Sequence, residues 1–383
     1  MKRSLVLAVA LAAAVIVLPT SSAPAARAAC LTSGQVFVYG QNGWDTLMNA
    51  LAANPTPCVQ YYIVLNAISD KTYPRGKRVV DVVHSKGPNF HALAEFNWTG
   101  WSRVKPANWY SKAVIFRRRM AAAGYDPTRD SWAVNELSSA VRAKPTARAK
   151  VRNALRGLYT GPRGSPPLMG AAFVIGMGQT RPNVDRYKAQ VESWLVDGPF
   201  WSAVTPYVAW WGQETYVSCS KVCVAGQKVA VRSTHVNEFV EHPARLAYAG
   251  PPTTLPARTL FDRSYFPLMT AYLADTGGYG GNAISPDTMQ RLASLEVYAA
   301  RAWAGRNPYP DGRLGFAWNE HPPGVTPAQL KALATRIAQA IQGAYGDAGT
   351  AAKACGSPTA YTFCRSSVRG ASFTSVWTRF GSW

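Results

Sequence analysis

The chain has 383 residues, of which 48% are hydrophobic and 16% charged, and its formal net charge is +21. That apolar share is enough for a buried core and excludes a disordered chain, while the charge favours anionic partners and says nothing of fold. Beyond the first 18 residues no run of ~20 apolar residues occurs, which excludes a protein that crosses a membrane repeatedly by helices.

The amino terminus reads as a secretory signal peptide over residues 1–28. Lys2 and Arg3 supply the positive start, residues 5–18 an apolar stretch short for a bilayer span, and Ala26-Arg27-Ala28 a cleavage triplet. Cleavage removes Lys2, Arg3 and Arg27 and takes the charge from +21 down by three to +18. Cys30 follows at once, but Arg27 stands where a lipoprotein signal wants an aliphatic residue, so the expectation is secretion without a lipid. Cys30, Cys58, Cys219, Cys223, Cys355 and Cys364 all remain, and an even count in an exported chain implies disulfides. Nearest-neighbour pairing gives Cys30–Cys58, Cys219–Cys223 and Cys355–Cys364, one of several connectivities. Cys219 and Cys223 have no second pair at zinc-ligand spacing, so no metal is expected there.

From there strands and helices alternate. Residues 36–40, 61–66, 90–97, 131–135, 168–177 and 205–214 are short apolar runs of strand character. Helical patterns follow the first five, at 44–53, 77–86, 107–123, from about 136 through Tyr159, and at 184–194. Such alternation argues for a parallel sheet covered by helices. Residues 217–312 then read as a helical insertion, with helix-like stretches at 236–249, 265–274 and 286–304. A strand returns at 313–319, followed by an amphipathic helix at 327–345. The expected fold is α/β, a (β/α)8 TIM-barrel-like domain over residues 29–345 with a late helical insertion and disulfide staples. The tail at 346–383 either supplies the last barrel strand or is a surface extension, and in the second case another strand lies within the insertion.

Several of these strands end in acids and amides. Asn135-Glu136 closes the fourth, Gln213-Glu214 the sixth, and Asn319-Glu320 the strand counted as seventh; Glu95 and Asn97 close the third. In a parallel barrel the carboxyl ends of the strands hold the active site. Hydrolysis of a glycosidic bond needs two carboxyl groups flanking the anomeric carbon, one to protonate the leaving oxygen and one to attack or to activate water. An adjacent amide suits a sugar hydroxyl, and Trp98, Trp211 and Trp318 near the same ends offer flat faces for sugar rings.

An Asn-Glu pair closing strand four with a second Glu closing strand seven resembles the clan A retaining glycoside hydrolases, which are (β/α)8 barrels. The resemblance implies Glu136 as acid/base, Asn135 as its hydroxyl-binding neighbour and Glu320 as nucleophile, with Glu95, Asn97, Trp98, Trp211, Gln213, Glu214, Trp318 and Asn319 shaping the pocket. Glu214 replaces Glu320 as second carboxylate if the strand count is off by one. The function expected is a secreted glycoside hydrolase acting on a poly- or oligosaccharide. The alternative is a non-catalytic barrel that holds an acidic glycan or the cell envelope through its basic surface.

Other motifs carry less. His235, Glu238 and His242 recur at one-turn spacing but match no zinc-protease pattern, and a solvated helix face accounts for them. Gly176-Met177-Gly178 lacks the third glycine of a dinucleotide site, so no cofactor is expected. Basic tracts at 112–119 and 142–156 fall on helices, where a solvated face is the ordinary reading, and no nucleic-acid docking motif accompanies them.

Overall fold

A computed structural model describes residues 34–41, 43–57, 59–65, 78–96, 105–135, 145–174, 198–215, 265–271 and 312–345, with isolated helical positions between 290 and 297. Eight strands pair in chain order and every pairing is parallel: β1 (Gly34–Gln41), β2 (Val59–Leu65), β3 (Phe90–Phe96), β4 (Ser131–Val134), β5 (Gly170–Val174), β6 (Val208–Thr215), β7 (Tyr265–Ala271) and β8 (Gly312–Asn319). Pairing of β8 with β1, from Gly34↔Gly312 to Gln41↔Asn319, closes the sheet on itself. Helices follow β1 to β5 and β8: α1 (Asp45–Ala53), α2 (Val79–His84), α3 (Pro106–Ala122), α4 (Pro145–Thr160), α5 (Gly198–Val204) and α6 (Pro327–Tyr345). The class is therefore α/β with a curled parallel sheet, and the β/α alternation is complete over the first five strands. Among the described residues no helix is long and apolar enough to cross a membrane.

Two expectations change here. Residues 265–271, read as helical, form β7. The strand counted as seventh is consequently the eighth, and it closes the ring without help from the tail. The misreading has a physical cause. A short apolar run without alternation does not by itself decide between helix and strand, and Leu, Met and Ala in Tyr265–Ala271 favour helix on propensity. Residues 346–383, all six cysteines, and His235, Glu238 and His242 lie outside the described residues.

Along the strands whose side chains are described, these alternate between two layers. Val36, Val38, Ile63, Ala92, Val134, Leu314 and Phe316 join the helices in one cluster, while Phe37, Tyr62, Val64, Leu93, Ala133, Ala171 and Phe173 fill the barrel in another. Inside, Tyr62 stacks on Phe37 and on His91, each with ring centroids 4.8 Å apart, and Trp210 tilts against Tyr62 at the same distance. The barrel is plugged, so ligands have access only at its ends.

Toward the amino ends of the strands the interior turns polar. Gln35 Oε1 accepts hydrogen bonds from Trp210 Nε1 at 3.0 Å and Arg313 Nε at 2.9 Å. The His91 ring lies between the Arg129 carbonyl, 2.8 Å from Nδ1, and the Gln60 amide, 2.7 Å from Nε2. Burial holds its pKa below the usual imidazole value, against the pull of the Arg129 carbonyl. Buried Asp130 accepts from Ala92 N, Asp126 N and His84 Nε2, each at 2.9 Å, and so joins α2 to β3 and to the turn before β4. These groups satisfy one another, which is what a buried polar layer requires.

On the outside, α3 and α4 pack closely because Gly157 has no side chain: a Cβ there would stand 2.5 Å from the Tyr110 carbonyl oxygen. Arg117, buried on α3, aims its guanidinium at the end of α4. It donates to the carbonyls of Leu158, of Tyr159 at 3.3 Å and of Pro166 at 3.3 Å. A cation is favoured there, where helix carbonyls lack partners.

Candidate active site

At the carboxyl end of the ring three polar residues converge from three strands. Tyr39 is an interior residue near the end of β1, Glu95 near the end of β3, and Asn135 stands just past β4. Their positions follow from the period of two. Val38, Phe96 and Val134 beside them belong to the helix-facing cluster, which leaves these three on the barrel side. Asn135 Nδ2 donates to the Tyr39 hydroxyl at 2.9 Å. That hydroxyl in turn lies 3.4 Å from both carboxylate oxygens of Glu95, at the long end of hydrogen bonding. The Tyr39 ring meets Phe173 edge-on at 5.8 Å, so the cluster rests on the apolar plug. Asn135 Oδ1 is buried and accepts no hydrogen bond from the described residues. A buried acceptor of that kind wants a donor.

Glu95 and Asn135 were legible as strand-end candidates, and the fold brings them together. Tyr39 was not singled out. The signal was a hydroxyl at the last barrel-facing place of Val36-Phe37-Val38-Tyr39, a position that only the topology sets beside Glu95.

Glu320 is placed otherwise. It leaves β8 and turns to the first turn of α1, whose N-cap residue Trp44 makes no side-chain capping bond. Thr46 N donates to both Glu320 oxygens, at 3.1 and 3.2 Å, and the Thr46 hydroxyl to Oε1. Trp318 Nε1 donates to Oε2 at 2.7 Å. Gly43, at φ 123°, admits this approach, since a Cβ there would lie 3.1 Å from Glu320 Cβ. A carboxylate at the positive end of a helix, with both oxygens engaged, is a capping group supplied from another strand. The expectation of a nucleophile at Glu320 is therefore not carried forward.

Two of the three tryptophans expected at the site are placed elsewhere as well. Trp211 and Trp318 are 0% exposed and belong to the cluster between sheet and helices, where neither offers a face to a sugar. Asn319 is buried, and its Oδ1 accepts from His321 N at 3.1 Å. Gln213 and Glu214 lie in β6, in register with Pro267 and Leu268 of β7. Glu136, Asn97 and Trp98 lie outside the described residues, each within one or two positions of a described one. No group of three metal-ligating side chains occurs among the described residues.

No family model matches the chain, and no curated protein matches it. Among solved structures, active domain 2 of a chitinase from Pyrococcus furiosus is similar at a TM-score of 0.43 and 9% identity, covering 81% of this chain and 96% of that one. A cube-shaped porous cage designed by fusing symmetric oligomeric domains gives a TM-score of 0.32 at 9% identity, over 81% and 72% of the two chains. Likeness at this level does not bear on activity.

Proposed function

We propose that this chain hydrolyses glycosidic bonds in an oligo- or polysaccharide, at the carboxyl-end mouth where β1, β3 and β4 finish. The observation that carries the reading is the Tyr39–Glu95–Asn135 cluster: a carboxylate, a hydroxyl and an amide whose oxygen has no donor among the described residues, over an apolar floor. Glu136 follows Asn135 directly and takes the part of the acid that protonates the leaving oxygen. Glu95, held by the Tyr39 hydroxyl, takes the part of the second carboxylate that the sequence had assigned to Glu320. It attacks the anomeric carbon or draws a proton from water, according to its distance from Glu136. Asn135 Oδ1 accepts a sugar hydroxyl, a contact that strengthens as positive charge develops on the ring.

The proposal extends to the whole chain. The complete (β/α)8 plan, secretion through residues 1–28, and disulfides among Cys30, Cys58, Cys219, Cys223, Cys355 and Cys364 belong to it as expectations. No cofactor enters the chemistry proposed. Reducing-end release from a panel of neutral and acidic glycans tests the reading. Glu95→Gln and Glu136→Gln should each lower the rate by about 10³-fold or more with the fold retained. Wild-type turnover in either variant removes that residue from the mechanism, and wild-type turnover in both removes the site.

A further inference from the structure

The two basic tracts of the sequence, about thirty residues apart, are brought side by side by the fold. α3 carries Lys112, Arg117, Arg118 and Arg119, and α4 carries Arg148, Lys150, Arg152 and Arg156; neither helix contains a carboxylate. Arg117 is buried with its carbonyl partners, whereas Lys112, Arg118, Arg119, Arg152 and Arg156 are exposed. Arg148, Arg152 and Arg156 recur one turn apart on α4, spacing charges ~6 Å apart along its axis. Like charges at that spacing oppose helix formation, and the exposed pair Arg152 and Arg156 gains when an anion compensates it. The two rows meet where the Arg156 guanidinium lies over the Tyr110 ring of α3 at 4.9 Å, and within α3 Lys112 lies over the Trp109 ring at 5.2 Å. Stacking on rings limits the freedom these cations lose on binding.

Position adds to charge. In this topology α3 follows β3 and α4 follows β4, so both helices run back from the carboxyl ends of those strands. Their cationic face runs away from that mouth down the side of the barrel. A linear polymer threaded through the mouth meets it next.

We infer that the α3–α4 face is a docking surface for a linear acidic polysaccharide, a chain bearing carboxylates at regular intervals. This rests on the glycosidase reading and narrows its substrate class. A single-stranded nucleic acid fits less well, because it wants exposed aromatic platforms for its bases. Here Trp109 is 1% exposed and Tyr110 is covered by Arg156. A lipid surface fits less well too, since Ile115, 47% exposed, is the only exposed large aliphatic side chain on these two helices.

Polygalacturonate is the probe, with its fully methyl-esterified form, oligo(dT) and phosphatidylglycerol vesicles as comparisons. Binding is measured on the Glu95→Gln protein so that hydrolysis does not interfere. Polygalacturonate should bind, the methyl ester bind at least tenfold more weakly, and affinity fall steeply between about 50 mM and 0.5 M salt. Joint replacement of Lys112, Arg152 and Arg156 by Gln should lower affinity about fivefold or more with the unfolding temperature unchanged. Affinity within twofold of the parent after that replacement overturns the inference, as does tighter binding to oligo(dT) or to the vesicles. Polygalacturonate binding without hydrolysis of any glycan leaves the docking surface standing and removes the glycosidase. Hydrolysis of neutral glycans without polygalacturonate binding does the reverse.

Discussion

Replacing Glu320 by Ala should weaken the fold and leave the chemistry of the remaining folded protein intact. The carboxylate takes the Trp318 indole N–H at 2.7 Å and the Thr46 amide at 3.1 Å. Because the Trp318 side chain is 0% exposed, its N–H finds no ready replacement in water. A hydrogen bond to a charged group contributes ~1.5–3 kcal/mol. Loss of the charge at the α1 amino terminus costs about 0.3–1 kcal/mol more. The expected destabilisation is thus roughly 2–4 kcal/mol, since overlapping losses do not add fully. Glu320→Gln, which keeps one acceptor, should lose about half of that. Urea unfolding followed by tryptophan fluorescence reads the change as a lower midpoint at constant slope. A double-mutant cycle with Thr46→Ala should show a coupling of about 0.5–3 kcal/mol. Wild-type stability in Glu320→Ala would refute the capping argument. A stable, folded but inactive Glu320→Gln would restore that residue as nucleophile.

Tyr39→Phe removes the hydroxyl between Glu95 and Asn135, and glycan turnover should fall about tenfold to a hundredfold, mainly in kcat; an unchanged kcat would separate Tyr39 from the site. His91 is held neutral by burial, so its folded pKa lies below the unfolded value near 6.5. The unfolded chain then takes up the proton first: the stability His91 contributes is present above pH ~6.5 and is lost as pH falls toward its folded pKa. A pH series of unfolding midpoints on wild type and His91→Gln checks this, and parallel curves below pH ~6.5 would contradict it. Gly157→Ala drives a methyl against the Tyr110 carbonyl and should cost about 1–3 kcal/mol, despite the higher helix propensity of alanine, with midpoint shifts as the readout.

Much of the barrel was legible because its strands and helices differ in period. Residues 34–41, 59–65 and 90–96 are bounded apolar runs, and α6 repeats its apolar positions on one face. β7 was not legible, since Leu268, Met269 and Ala271 favour helix on propensity and the run is too short for its period to decide, and its loss from the count moved Glu320 from strand eight to strand seven. Two-sided burial hid which way the tryptophans face: Trp210 enters the barrel and Trp211 the helix layer, and only the register decides between them. Glu95 and Asn135 stood out in the sequence because strand-end polar residues contrast with apolar strands. Tyr39, which the fold sets beside them, did not stand out because a tyrosine ending such a strand looks like core. The fate of Glu320 depended on a helix 274 positions away in the chain, a pairing that no local pattern contains.

The central claim is that the acids of the mouth, Glu95 and Glu136, act together on a sugar. A crystal structure of the Glu136→Gln protein with an oligosaccharide bound tests it most directly. The account predicts a sugar hydroxyl within hydrogen-bonding distance of Asn135 Oδ1, and side-chain carbonyl carbons of residues 95 and 136 either ~5–5.5 Å or ~6.5–9.5 Å apart across the anomeric carbon. Sugar bound away from Tyr39, Glu95 and Asn135, or side chains well beyond ~10 Å apart, would contradict it.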